Sequence, residues 1–309
     1  MADMSGNKQP NFLVLGAAGH QGGAVARLLA ERGQLVRGFA RPPGAGRPAP
    51  EVPGVSFVSG DLADAADLRR AFEGITHASV VLPLVHDTET VVGYVRTIVA
   101  AARAAGIEQL VFNTNTRIPQ ARTGYAAFEN RRVAEQVLRE SGLPLTVLRP
   151  PVYLENLFSP WTGPALVNDG VLAYPLPSEA RVAWLSHRDL AAATVAALGR
   201  PELIGQTVEL GGESVTGAEL AAAFGEALGR EVSYLPLPPA EFEAGLAQAL
   251  GAEAAAGVAG VYHHAATEAG ALLLDGGRQQ SERALGIRTT PLAEWIAAQP
   301  WQHWARPAD

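Results

Sequence analysis

Four apolar residues in succession, Phe12 to Leu15, open the pattern of this chain. An unbroken apolar run suits a strand buried on both faces. The segment GAAGHQGG follows at 16–23, and beyond it Val25, Leu28 and Leu29 share one side of a helix, with Arg27, Glu31 and Arg32 elsewhere. The alternation then repeats. Runs at Gln34–Ala40, Val55–Ser59, Ala78–Leu82, Gln109–Phe112 and Leu145–Leu148 read as five further strands. Helices are expected from Asp64, a good N-cap, through Phe72, over Thr88–Ala105, and over Gly124–Ser141. In the second of these, Val91, Val95, Ile98 and Ala102 keep one apolar face. Strands alternating with helices imply an α/β fold with a doubly wound parallel sheet, ligands lying at the carboxyl ends of its strands.

The second half is less regular. Residues 161–177 are rich in proline and aromatics and are expected to cover the cleft. Val182–Leu185 reads as a strand, Asp189 as the start of a helix through Leu198, and Val208–Leu210 as a return to the sheet. Thr216 with Glu219 forms the sequence of a capping box. The Ala- and Gly-rich stretch 240–277 reads as helices of a smaller, mostly helical C-terminal domain, and Thr290–Trp304 as a closing helix with an aromatic tail.

The glycines carry the first chemical signal. Gly16, Gly19 and Gly22 follow a strand and precede a helix. Their spacing is GxxGxxG rather than GxGxxG. Such a turn presents unpaired backbone N–H groups at a helix N-terminus, where the dipole favours an anion such as a diphosphate. Gly16 permits a sharp exit from the strand; Gly19 and Gly22 allow close approach of ligand and helix. Arg41 ends the second strand, where a βαβ nucleotide site meets the adenosine ribose, and no Asp or Glu occurs between Gln34 and Pro50. An arginine there suits a 2′-phosphate, which favours NADP over NAD; the plain alternative is a solvated surface arginine. Asp61 ends the third strand and either accepts an adenine amine or organises a turn. Pro83 and Leu84 are placed to wall the adenosine side.

The 309 residues carry a charge of −7, with 24 basic against 31 acidic side chains, so no electrostatic footprint of a nucleic-acid binder is present. There is no cysteine, hence no disulfide and no thiolate chemistry. The single lysine is Lys8, in a polar N-terminal segment. No apolar run reaches membrane-spanning length. A cytoplasmic location is expected, with neither membrane nor direct nucleic-acid contact.

With GAAGHQGG at 16–23, Arg41-Pro42, Gly60-Asp61-Leu62, TVLRPPVYLEN at 146–156, Trp184 with Asp189, and LGGESVTGAELAAAFGEALGREV at 210–232, the chain resembles the NmrA-like family of atypical short-chain dehydrogenases/reductases along nearly its whole length. The resemblance implies a Rossmann domain binding NADP(H), with a smaller domain over the nicotinamide. It assigns cofactor contacts to Gly16, Gly19, His20, Gln21, Gly22, Arg41, Asp61 and Pro83, and to the backbone from Pro150 through Pro151 and Val152 to Tyr153. Ala18, Leu62, Leu82, Thr114 and Asn156 adjoin these and complete the candidate site. Pro151 stands where the family often has glycine, which removes one backbone donor. The expected division is a flexible tail at 1–10, a dinucleotide domain at 11–150 and 182–212, and a smaller domain at 151–181 and 213–309.

Short-chain reductases usually carry Tyr-x-x-x-Lys on the helix after the fifth strand, and many NmrA-like proteins lack the tyrosine but keep the lysine. Aligned on Glu135 and Leu138, this chain has Ala127 at the tyrosine position and Arg131 at the lysine position, with Tyr125 two residues earlier. Arg131 can bind the ribose but stays protonated, so it is no proton-transfer base. No catalytic residue and no metal ligand is assigned. Adjacent His263 and His264 point apart on a helix. Ser186, His187 and Asp189 have the residue types of a triad, but sequence neighbours rarely form one. Tyr153, Asn156, Trp161 and Trp184 are candidate pocket walls, with core packing an equal explanation for the tryptophans.

Two functions compete. The first is an NADP(H)-binding redox sensor or regulator, answering to a protein partner through a surface that differs between cofactor states. The alternative is an NADPH-dependent reductase passing hydride directly to a quinone, dye or similar conjugated aromatic acceptor, chemistry that needs proximity more than a protein acid.

Overall fold

The computed structural model describes residues 9–42, 51–85 and 87–306. The first eight residues of the expected tail, and residues 43–50 after the second strand, lie outside the described residues.

The first half alternates as its apolar runs require. The strands are β1 (Asn11–Leu15), β2 (Leu35–Ala40), β3 (Val55–Ser59), β4 (His77–Val81), β5 (Gln109–Asn113) and β6 (Leu145–Arg149). The helices between them are α1 (His20–Glu31), α2 (Ala65–Phe72), α3 (Thr88–Ala105) and α4 (Ala126–Glu140). A later strand, β10 (Thr207–Glu209), joins them in one seven-stranded sheet of order β10-β6-β5-β4-β1-β2-β3. Every pairing in it is parallel. The chain runs outward from β1 to β2 and β3, then returns to β4 on the other side. That reversal opens a crevice at the carboxyl ends of β1 and β4.

Successive strand residues point to opposite faces, so each apolar run feeds two cores. Leu13, Leu15, Leu110 and Phe112 meet Leu68 of α2, Ile98 of α3 and Leu138 of α4. Val14, Val111 and Leu148 meet Val25 and Leu29 of α1 and, on the other helix of that face, Leu190 and Ala197. Those last two belong to α6 (His187–Leu198), which begins at His187 because Ser186 is its N-cap.

The remaining elements are β7 (Val152–Tyr153), α5 (Gly163–Asp169), β8 (Val171–Tyr174), β9 (Val182–Leu185), β11 (Glu213–Val215), α7 (Gly217–Leu228), β12 (Ser233–Pro236), α8 (Pro239–Leu250), α9 (Ala252–Ala265), α10 (Arg278–Leu285) and α11 (Leu292–Ala298). They include two small sheets, β11-β9-β7 and β12-β8, which the helical expectation for this region did not contain. A third core gathers Tyr174, Trp184, Phe224, Trp295 and Trp301. The capping box of α7 forms as its sequence suggests, with both the Thr216 and Glu219 side chains engaged.

Candidate functional site

The carboxyl ends of β1, β2 and β4 border a cleft of about 1230 Å³, large enough for a dinucleotide and a second ligand. Gly16, Ala18, Gly19, His20, Gln21 and Gly22 form its floor. Gly16 leaves β1 at φ +82°, and a Cβ there would come within 2.7 Å of the Val81 side chain. At Gly22 a Cβ would meet the Gly16 carbonyl oxygen at 2.3 Å, so helix and strand approach only because glycine is present. A Cβ on Gly19 meets nothing closer than 3.4 Å. Gly19 is the N-cap of α1, which has no side-chain cap and no acidic residue in its first turn. By contrast α2, α3, α6 and α7 are capped by Asp64, Asp87, Ser186 and Thr216. The amides at the start of α1 are left for an anion in the cleft.

Arg41 and Pro42 line the cleft at the end of β2, and Asp61 and Leu62 at the end of β3. Asp61 performs its turn role: Oδ1 accepts the Ala63 N–H at 2.8 Å. Leu82 and Pro83 follow β4 along the same wall, and Pro151, Val152, Tyr153 and Asn156 close the far side. Thr114 is not among the lining residues. It is fully buried, and its hydroxyl donates to the carbonyls of Thr116 (2.7 Å) and Leu148 (3.2 Å). Its neighbours Asn115 and Thr116 line the cleft instead. Asn115 sits at φ +66°, the left-handed region that asparagine tolerates better than most residues. Asn115 Oδ1 and Thr116 Oγ1 are buried without a partner among the described residues, polar atoms that a ligand can satisfy.

Gln21 joins three elements. Its Oε1 accepts Asn113 Nδ2–H at 2.7 Å and the Tyr153 hydroxyl at 3.0 Å. The glycine turn is thus tied to β5 and β7 by side chains alone. Burial pushes the Tyr153 phenol well above its ordinary value, so Tyr153 remains a neutral hydrogen-bond donor.

On α4, Ala127 and Arg131 both line the cleft, at the two positions aligned with the usual tyrosine and lysine. Arg131 is only 8% exposed, and no carboxylate pairs with it among the described residues. Burial lowers it to about 10, still protonated at neutral pH. Arg132 points away, to the carbonyls of Pro119 and Ala121 and to Glu129. Tyr125 caps α4 and stacks on His263 at 6.1 Å, and it does not line the cleft.

Other expectations change. Residues 161–177 contribute nothing to the lining; the covering wall is α9, through Gly257, Val258, Val261 and Tyr262. Trp184 packs in the core against Tyr174, and Trp161 is a surface residue. In Ser186-His187-Asp189 only His187 reaches the cleft. Ser186 caps α6, and the Asp189 carboxylate accepts from the backbone and hydroxyl of Thr290. His187 stands 4.8 Å from the Tyr153 ring and 6.2 Å from His20. Burial, with His20 adding to it, lowers His187 to about 4. Sequence reasoning did not assign Asn113 or the α9 wall to the site, and it weighed His187 only as one of the triad residue types.

The profile of the NmrA-like family matches residues 8–296, and the chain belongs to that family. It is 32% identical to the NAD(P)H azoreductase of Xenophilus azovorans over 230 residues, 73% of this chain and 77% of that protein. It is 34% identical to the (4-alkanoyl-5-oxo-2,5-dihydrofuran-3-yl)methyl phosphate reductase of Streptomyces griseus over 226 residues, 72% of this chain and 76% of the relative. Among solved structures, the triphenylmethane reductase of Citrobacter sp. complexed with NADP(H) shares the fold with a TM-score of 0.72 at 21% identity, covering 93% of this chain and 98% of that one. No described helix is long and apolar enough to cross a membrane.

Proposed function

We propose that this member of the NmrA-like family is an NADPH-dependent oxidoreductase that passes hydride directly to a conjugated acceptor such as a quinone or an azo or triphenylmethane dye. The observation that carries it is the continuity of the cleft. It runs from the glycine turn past Arg131, which has no carboxylate partner among the described residues, to an apolar wall of Val152, Val258 and Val261. The floor at 16–22 would hold the diphosphate, Arg41 the 2′-phosphate, and Arg131 the nicotinamide ribose. A bound dihydronicotinamide would supply the hydride; the chain's part is to hold acceptor and donor together and keep water out. The relatives named NAD(P)H azoreductase and (4-alkanoyl-5-oxo-2,5-dihydrofuran-3-yl)methyl phosphate reductase support this reading. It also divides the chain, with 11–150 and 182–212 serving the dinucleotide and 151–181 with 213–309 the acceptor.

The test is a titration with NADPH, NADP, NADH and NAD, followed by quinones, azo dyes and triphenylmethane dyes as acceptors. Tight binding of the phosphorylated cofactors and NADPH oxidation with one acceptor class are expected. No oxidation above background with any acceptor counts against catalysis. That result would favour the second reading, a redox-sensing regulator, for which the specific support is Ala127 in place of a proton-donating tyrosine. Its mark would be a protein partner bound unequally in the NADPH and NADP states.

A further inference from the structure

We propose that His187, backed by Glu155, is a proton donor for acceptors whose reduction leaves charge on an oxygen or nitrogen. The inference rests on the reductase reading above. It begins from geometry. His187 opens α6 at the carboxyl end of β9 and lines the cleft, its ring 6.2 Å from that of His20 and 4.8 Å from that of Tyr153. Glu155, on the short turn after β7, lies behind it. Glu155 Oε1 accepts the His187 backbone N–H at 2.9 Å, and Oε2 stands 3.7 Å from His187 Nδ1. Oε2 is buried and has no hydrogen bond of ordinary geometry among the described residues. Carboxyl, imidazole and open cleft therefore follow one another in the order a relay needs, with the imidazole as the group that meets the acceptor.

The charges around the pair are few. His20 of α1 and Tyr153 of β7 face the imidazole, and Arg131 of α4 acts on Tyr153. Asp189 of α6 and the Trp295 indole of α11 act on Glu155. Burial lowers His187 and raises Glu155, so it disfavours the imidazolium and favours the protonated carboxyl. A neutral imidazole can take the carboxyl proton on Nδ1 while releasing the one on Nε2. Hydride addition to a quinone or azo group leaves an anionic oxygen or nitrogen. His187 then gives it one proton: a new O–H or N–H bond forms, the imidazole N–H and carboxyl O–H bonds break, and solvent reprotonates Glu155. Reduction of a triphenylmethane cation differs, since hydride alone yields the neutral product.

That difference is the test. The wild type, His187→Gln and Glu155→Gln are compared with a quinone, an azo dye and a triphenylmethane cation. His187→Gln should lower the quinone-to-cation rate ratio by at least about tenfold, and the solvent deuterium effect on quinone reduction should shrink with it. Equal losses with both acceptors, or none, overturn the relay. A wild type that reduces the cation alone keeps the reductase reading and overturns the relay; one that reduces nothing removes the reductase reading itself. A readout independent of turnover is the 15N-imidazole titration of His187 in the protein. Glu155→Gln should remove the carboxyl's own inflection from that curve while folding is retained, because the Gln amide does not titrate and its oxygen still accepts the His187 N–H. An unchanged titration overturns the pairing.

Discussion

The Tyr153 hydroxyl donates to Gln21 Oε1 at 3.0 Å, joining β7 to the first turn of α1 across 132 positions of the chain. Asn113 Nδ2 donates to the same oxygen. Tyr153→Phe should therefore cost about 0.5–1.5 kcal/mol in urea unfolding, the usual net worth of one hydrogen bond. Gln21→Ala should cost more, because it strands two buried donors. The double variant should cost less than the sum of the single changes.

The two later glycines of the turn do different work. Gly22→Ala drives a Cβ into the Gly16 carbonyl and should destabilise the fold by about 2 kcal/mol or more, read as a lowered Tm. Gly19→Ala has room for its methyl group and should keep Tm nearly unchanged while weakening dinucleotide binding in calorimetry.

Arg131 is a buried cation with no carboxylate partner among the described residues. Replacing it with Met removes an uncompensated charge and should raise stability in the absence of ligand by about 1 kcal/mol or more. The same change should lower affinity for NADP(H). Arg131→Lys should keep most of the affinity. A Met variant that gains nothing in stability and binds normally would remove the ribose role.

At the other end of the cleft, Arg41→Ala should weaken NADP by about tenfold while leaving NAD little changed, measured by calorimetry. Equal losses for the two cofactors would take away the preference for the 2′-phosphate.

The His187–Glu155 pair makes a prediction in pH. His187 titrates near 4 in the fold against 6.5 unfolded, because burial and then His20 disfavour its charge. Between those values the unfolded chain binds the extra proton, so this group alone makes stability rise with pH. For Glu155, burial outweighs the His187 amide bond and raises the carboxyl above 4.5, which acts in the opposite sense. Glu155→Gln removes the opposing contribution. The variant should lose stability more steeply than the wild type as pH falls from 6.5 toward 4, in denaturation series at fixed ionic strength.

The parallel sheet was legible because its strands are buried on both faces. Leu13 and Val14 serve opposite cores, so the run has no polar gap. α3 was legible to the residue, between Thr88 and Ala105. The strands β8, β11 and β12 are only three or four residues long, too short for any period to appear. In the cleft, positions close to the glycine turn could be read from spacing and resemblance. Thr114 was misplaced because one residue decides which side of a strand end faces inward; its neighbour Asn115, at positive φ, turns the chain there. The α9 wall was hidden by composition, since AAAGVAG reads as a helix with no face preferred.

That wall has an evolutionary corollary. Part of the cleft wall comes from one alanine- and glycine-rich helix some 230 positions downstream of the glycine turn, and it presents Gly257, Val258 and Val261. Enlarging or trimming these small side chains reshapes the acceptor chamber without disturbing the seven-stranded scaffold. A lineage could thus drift from one oxidant to another through a handful of codon changes while its grip on the nucleotide stayed constant.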